Sequence, residues 1–95
     1  MQLLVRNKVK DFSRWHSNFE IDREVAAEHG VTLVMLWRTA DDPNDVYFLL
    51  NVEDVERANA FMARPEAQEV GEKSGVLDGE IRFLEPFEVS VEGNG

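Results

Sequence analysis

"VTLVMLWRTADDPNDVYFLLNVE" (Val31–Glu53) decides the fold. It holds two runs of β-branched and aromatic residues, Val31–Thr39 and Asp45–Glu53, parted by a stretch rich in Asp, Pro and Asn. Each run is too short for an independent helix, so the pair reads as a hairpin. Neither run alternates cleanly. In the first, Val31, Leu33, Met35 and Trp37 fall on one face and Val34 and Leu36 on the other. In the second, Val46, Phe48, Leu50 and Val52 oppose Tyr47 and Leu49. A sheet covered by helices on one side should leave its other face polar. An apolar face beyond a few hundred Å² is rarely left bare. A second copy of the chain, packed sheet to sheet about a two-fold axis, is therefore the expected partner, with an interface above about 1,000 Å².

Working outward, Gln2–Lys10 alternates as a strand. Asp11 can cap a helix over Phe12–His29, and Gly30 can stop it. Asp54 can cap a second helix over Val55–Ala63. Arg64-Pro65 breaks that helix, and Pro65 suits the first turn of a further one over Pro65–Ser74, closed by Gly75. Gly79–Glu85 reads as the last strand, limited by Pro86, with alternation resuming at Phe87, Val89 and Val91. The order strand, helix, strand, strand, helix, strand predicts an α+β, ferredoxin-like βαββαβ domain: a four-stranded antiparallel sheet with helices on one face. Residues 1–92 make one domain and residues 93–95 a flexible tail.

Composition narrows the functions. The chain has 95 residues, net charge −9 and no cysteine. That acidity opposes nucleic-acid phosphates and anionic lipid surfaces. The lack of cysteine excludes disulfides, thiolate metal sites and a cysteine nucleophile. No segment reads as a signal peptide or a membrane span, so a cytoplasmic setting is expected. Asp41, Asp42 and Asp45 lack the alternate ligand spacing and central glycine of a calcium loop. They read as turn residues, with Pro43 fixing the bend.

Chemistry is sought instead on the first helix. At about 100° per residue, Phe12, Phe19, Arg23 and Ala26 share a stripe that contains His16, with Trp15 beside it. A histidine and an arginine thus interrupt an apolar, sheet-facing surface. His16 is the candidate proton acceptor and Arg23 the candidate anion clamp, or both are structural groups satisfied by Tyr47, Asn7 or Asn51. Trp15, Phe19, Trp37 and Tyr47 are candidate walls for a flat apolar ligand. His29, at the helix end, reads as a cap. His16 and His29 are roughly 20 Å apart along a helix and cannot share a metal. Neither a metal nor a cofactor is expected.

Asp11-Phe12, Trp15, Phe19, Arg23 and Gly30, the hairpin "DDPND", "VEDVERANAF" at the second helix and the "GV…G" before the last strand together resemble the dimeric α+β barrel superfamily. The similarity is to its small antibiotic-biosynthesis-monooxygenase-like or cyclase-like members and spans nearly the whole chain. It implies a ferredoxin-like protomer pairing through its sheet, with a pocket between sheet and helices. Characterised relatives include cofactor-free monooxygenases of polycyclic aromatics and haem-degrading enzymes. The haem-degrading members carry an axial histidine on the second helix, and Val55–Ser74 contains none. Asn7 resembles their strand asparagine, which makes it a candidate ligand contact. Three functions follow: a homodimer binding a small apolar ligand, a cofactor-independent monooxygenase-like or cyclase-like enzyme, or an interaction protein without a ligand.

Overall fold

The computed structural model describes residues 1–87. The elements are β1 (Gln2–Val9), α1 (Phe12–Glu28), β2 (Val31–Thr39), β3 (Asp42–Val52), α2 (Val55–Ala63), α3 (Pro65–Ser74) and β4 (Val76–Leu84). The four strands form one antiparallel sheet in the order β2-β3-β1-β4. This is the ferredoxin-like arrangement, its second helical unit split into two short helices. The expected alternation at Val89 and Val91 and the tail at 93–95 lie outside the described residues. Among those residues, no helix is long and apolar enough to cross a membrane.

Local chemistry sets most boundaries. Asp11 accepts a hydrogen bond from the Ser13 amide at 3.2 Å, and Asp54 accepts one from the Glu56 amide at 2.9 Å. Each satisfies one of the free N–H groups that open a helix. The His29 ring Nδ1 lies 2.9 Å from the Val25 carbonyl, which requires that nitrogen to donate. Gly30 and Gly75 end their helices with φ of 74° and 73°, the left-handed region that glycine enters without Cβ strain. Arg64, held extended before Pro65, separates α2 from α3.

The hairpin is tighter than expected. Thr39 already pairs with Asp42, so the acidic stretch belongs largely to β3. Its polar atoms bind local backbone. The Asp42 side chain accepts from the Asn44 amide at 2.9 Å, and Asn44 Oδ1 accepts from the Phe12 amide at 2.9 Å. The stretch therefore also caps α1 across the fold.

A β-bulge corrects the expected faces of β2. Leu33 pairs with Leu50, but Met35 pairs with Leu49, leaving Val34 as the extra residue. One inserted residue exchanges the faces of everything beyond it. Val31 and Leu33 face the helices, and so does Leu36, opposite Phe48. Met35 and Trp37 turn to the outer face, where they pair with Leu49 and Tyr47. The core on the helix side gathers Leu3, Val5, Val9, Trp15, Ala26, Val31, Val46, Phe48, Val52 and Ala58.

Candidate functional site

The helix layer covers the sheet without filling the space beneath it. A cavity of about 300 Å³ lies between β1, β2 and β3 on one side and α1, α2 and α3 on the other. This is the lower end of the range for small-molecule sites. Its sheet wall includes Leu3, Val5, Phe48 and Leu50, and its helix wall includes Trp15, Phe19, Phe61 and Met62.

The aromatic wall is built from α1. Trp15 is 2% exposed. Its ring centroid lies 4.7 Å from that of Phe19, 5.6 Å from Phe48 and 5.8 Å from Phe12. The inward stripe of α1 is thus Phe12, Trp15, Phe19, Asp22 and Ala26, about one position away from the stripe expected around His16. Burying a large indole outweighs keeping an imidazole inside, because the histidine would need a buried polar partner.

His16 is consequently turned outward. Its ring stacks on Phe12 with centroids 5.5 Å apart, and Nε2 lies 3.3 Å from Glu20. Arg23 borders the cavity, but its guanidinium also turns to Glu20, at 3.3 Å. The expectation that His16 faces the sheet is therefore corrected. Trp37 and Tyr47, expected opposite α1, lie together on the outer sheet face, 46% exposed in the case of Trp37. The bulge explains the first, and the strand's alternation explains the second. Trp15, Phe19, Asn7 and Arg23 line the cavity; His16, Trp37 and Tyr47 do not.

Asn7 connects strand to helix. With its amide turned to satisfy both ends, it donates to the Arg6 carbonyl at 3.1 Å and accepts from Trp15 Nε1 at 3.3 Å. Opposite it on β4 stands Gly79, where a Cβ would come within 3.1 Å of the Asn7 side-chain amide. That glycine leaves room for the asparagine. Among the lining residues that escaped the sequence reading are Asp22, Phe61, Gly71 and Ser74. Asp22 pairs with Arg64, whose guanidinium also covers the Phe61 ring at 4.2 Å. This ties α1 to the α2–α3 break. The spacing of Asp22 from Trp15, two turns on one face, was the signal available for it.

The outer face is organised differently. Met35, Leu49 and Leu4 form one cross-strand row, and Trp37, Tyr47, Arg6 and Glu80 the next. Arg6 Nε is 2.9 Å from Asp45, and its guanidinium lies 5.8 Å from the centre of the Tyr47 ring. The hydrogen bond from Arg6 holds the Asp45 carboxyl below the usual aspartate range, and the same bond raises the arginine.

No family model and no curated protein matches the chain. Solved structures do. A proposed antibiotic biosynthesis monooxygenase from Bordetella bronchiseptica is 14% identical with a TM-score of 0.74, the match covering 92% of this chain and 96% of that one. A variant of SnoaB, a cofactor-independent oxygenase from Streptomyces nogalater, is 15% identical with a TM-score of 0.67, covering 90% and 93%. A proposed monooxygenase from Lactobacillus acidophilus is 20% identical with a TM-score of 0.67; 84% of this chain matches only 41% of that longer one. The protein thus has the fold of the antibiotic-biosynthesis-monooxygenase-like α+β barrel proteins.

Proposed function

We propose that this protein is a homodimer that binds a compact apolar small molecule between its helix layer and its sheet. The observation that carries the reading is the cavity of about 300 Å³, walled by Trp15, Phe19, Phe48 and Phe61. A well-packed core leaves few voids larger than a water molecule, so an apolar space this size is suited to a guest. The dimer is supported by the bare outer face, where Val34, Met35 and Trp37 are 46%, 49% and 46% exposed.

A thermal-shift series with naphthols, anthrones, haem and small aliphatic acids tests the ligand. A compound that binds the folded state raises Tm in proportion to the logarithm of its concentration. The naphthols and anthrones should do so and the acids should not. A Tm unmoved by every aromatic sinks the proposal. For the dimer, sedimentation equilibrium at low micromolar concentration should return twice the chain mass.

A second reading, cofactor-independent oxygenation, is favoured by the Asn7–Trp15 pair, which sets a polar amide in an aromatic wall. The likeness in fold to SnoaB supports the same reading. In such a step a ring CH₂ becomes C=O, one atom of O₂ entering the product and the other leaving as water. Oxygen uptake with an anthrone, abolished by Asn7→Ala while the ligand still binds, distinguishes the enzyme from the binding module.

A further inference from the structure

The sheet has two free edges, β2 and β4, and they are built differently. A free edge offers unpaired N–H and C=O groups to any other strand, so folded proteins blunt it. The β2 edge is blunted by the bulge at Val34, which breaks its register between Leu33 and Met35. The β4 edge has no such break over residues 78–84, which pair one for one with β1 from Asp78–Lys8 to Leu84–Gln2. Every residue from 77 to 84 is exposed, and Ile81 and Phe83 remain 46% and 37% exposed on the helix side. Among the described residues no element covers this edge. A regular, exposed edge with large apolar side chains is a template for a further strand.

The side chains of β4 select which strand fits. Glu80 and Arg82 stand on the outer face, opposite Arg6 and Leu4 of β1. Arg6 is bound to Asp45, and Glu80 has no ion pair among the described residues. Arg82 reaches only the carbonyl of its neighbour Ile81, at 2.9 Å. The two opposite charges thus flank Ile81, one residue away on either side. An antiparallel pairing of β4 with a second copy about Ile81 sets Glu80 against the second copy's Arg82, and Arg82 against its Glu80. On the helix side the same register sets Ile81 against Ile81 and Gly79 against Phe83, a ring laid over a bare glycine. Other registers lose this match. Centred on Glu80 or on Arg82, the pairing sets a charge against itself, and centred on Gly79 it sets Asp78 against Glu80. Like charges directly opposite are destabilising.

We infer that the β4 edge is a self-pairing surface. Two copies join β4 to β4 about Ile81 and form one continuous sheet, four strands from each, with all helices on the same side. The two-fold axis of this contact is perpendicular to the sheet, whereas that of a sheet-to-sheet dimer runs parallel to it. The two contacts use different surfaces, and together they can close a four-copy assembly instead of growing into a fibre. The edge contact buries less surface than the outer face, so it forms at higher concentration. It rests neither on the cavity nor on the sheet-to-sheet dimer.

The chain has no cysteine, so one introduced thiol reports one contact. Ile81→Cys in the full chain should give a disulfide-linked dimer on mild oxidation, because directly opposed strand residues bring their Cα atoms within disulfide reach. Ile21→Cys, at a site 70% exposed on α1, should run as a single chain on the same non-reducing gel. Sedimentation equilibrium over rising concentration reads the charges. The wild-type protein should pass from twice to four times the chain mass. Glu80→Arg or Arg82→Glu alone should weaken that second step at least about tenfold, since each sets like charges together in both pairs. An equimolar mixture of the two variants should restore it, because each chain then faces its complement. If Ile81→Cys links no better than Ile21→Cys, or the mixture associates no better than either variant alone, the inference is overturned and the sheet-to-sheet dimer stands. If the protein stops at twice the chain mass, yet Ile81→Cys links and mixing restores association, the edge contact is that dimer and the sheet-to-sheet reading falls instead.

Discussion

The two faces of the one sheet are both rich in apolar side chains, yet they are finished in opposite ways. The helix-facing side is covered but hollow: Leu3, Val46 and Val52 are buried, and a cavity remains between Phe48 and the helices. The outer side is filled by cross-strand pairs such as Met35–Leu49 and Trp37–Tyr47, but among the described residues no helix covers them. The difference teaches where each kind of partner belongs. A small molecule suits an enclosed space with few polar groups. A second protein surface suits a flat apolar area edged by charges such as Arg6, Asp45 and Glu80.

The sharpest test of that contrast exchanges the two tryptophans. Trp15→Ala should cost about 3–5 kcal/mol in urea denaturation, because a buried indole leaves a void that its neighbours cannot close. The same change at Trp37 should leave the protomer's own stability nearly untouched. Equal losses at both positions would erase the distinction between covered and bare faces.

Trp37→Glu addresses the outer face directly. It should weaken self-association at least about thirtyfold, the scale of an interface anchor, with far-ultraviolet circular dichroism unchanged. Sedimentation velocity across a dilution series reads this. An unaltered sedimentation coefficient would put the partner surface elsewhere.

A pH titration sharpens the electrostatics of the same face. The hydrogen bond from Arg6 lowers the Asp45 pKa in the folded state. Its stabilising contribution is therefore complete above the ordinary aspartate range and is lost as pH falls through the lower folded value. Tm measured from neutral pH downward should fall more steeply in the wild-type protein than in Asp45→Asn. Parallel curves would mean that the pair contributes nothing to folding.

The smallest effect is expected at His16. Its ring lies outside the cavity, against Phe12 and Glu20. His16→Ala should change stability by less than about 0.5 kcal/mol and leave ligand affinity unaltered. A loss of binding or turnover would return His16 to the site.

The elements themselves were legible because their signals are local. Asp11, Gly30, Asp54, Pro65 and Gly75 act on backbone within a residue or two, and the boundaries they mark agree with the structure. The site was legible only in part. Helical periodicity points to Trp15, Phe19 and Arg23, and the family resemblance to Asn7; all four line the cavity. Trp37 was placed on the wrong side because a strand's period says nothing of a bulge, which depends on how Leu33 and Met35 register against the neighbouring strand. His16 was misplaced because helical periodicity defines a stripe only to within about one residue, and packing chooses between the candidates.

By itself, the sequence determined the order of strands and helices, the caps and breaks between them, and the surplus of apolar residues that calls for a cover on each sheet face. These follow from backbone dihedrals, hydrogen bonds and periodicities that act over a few residues. Only the tertiary structure decided which face Met35 and Trp37 occupy, which side of α1 turns inward, and that Gly71 and Ser74 border an unfilled space. A void has no residue of its own. It exists only where distant side chains fail to meet, and that depends on packing across the whole fold.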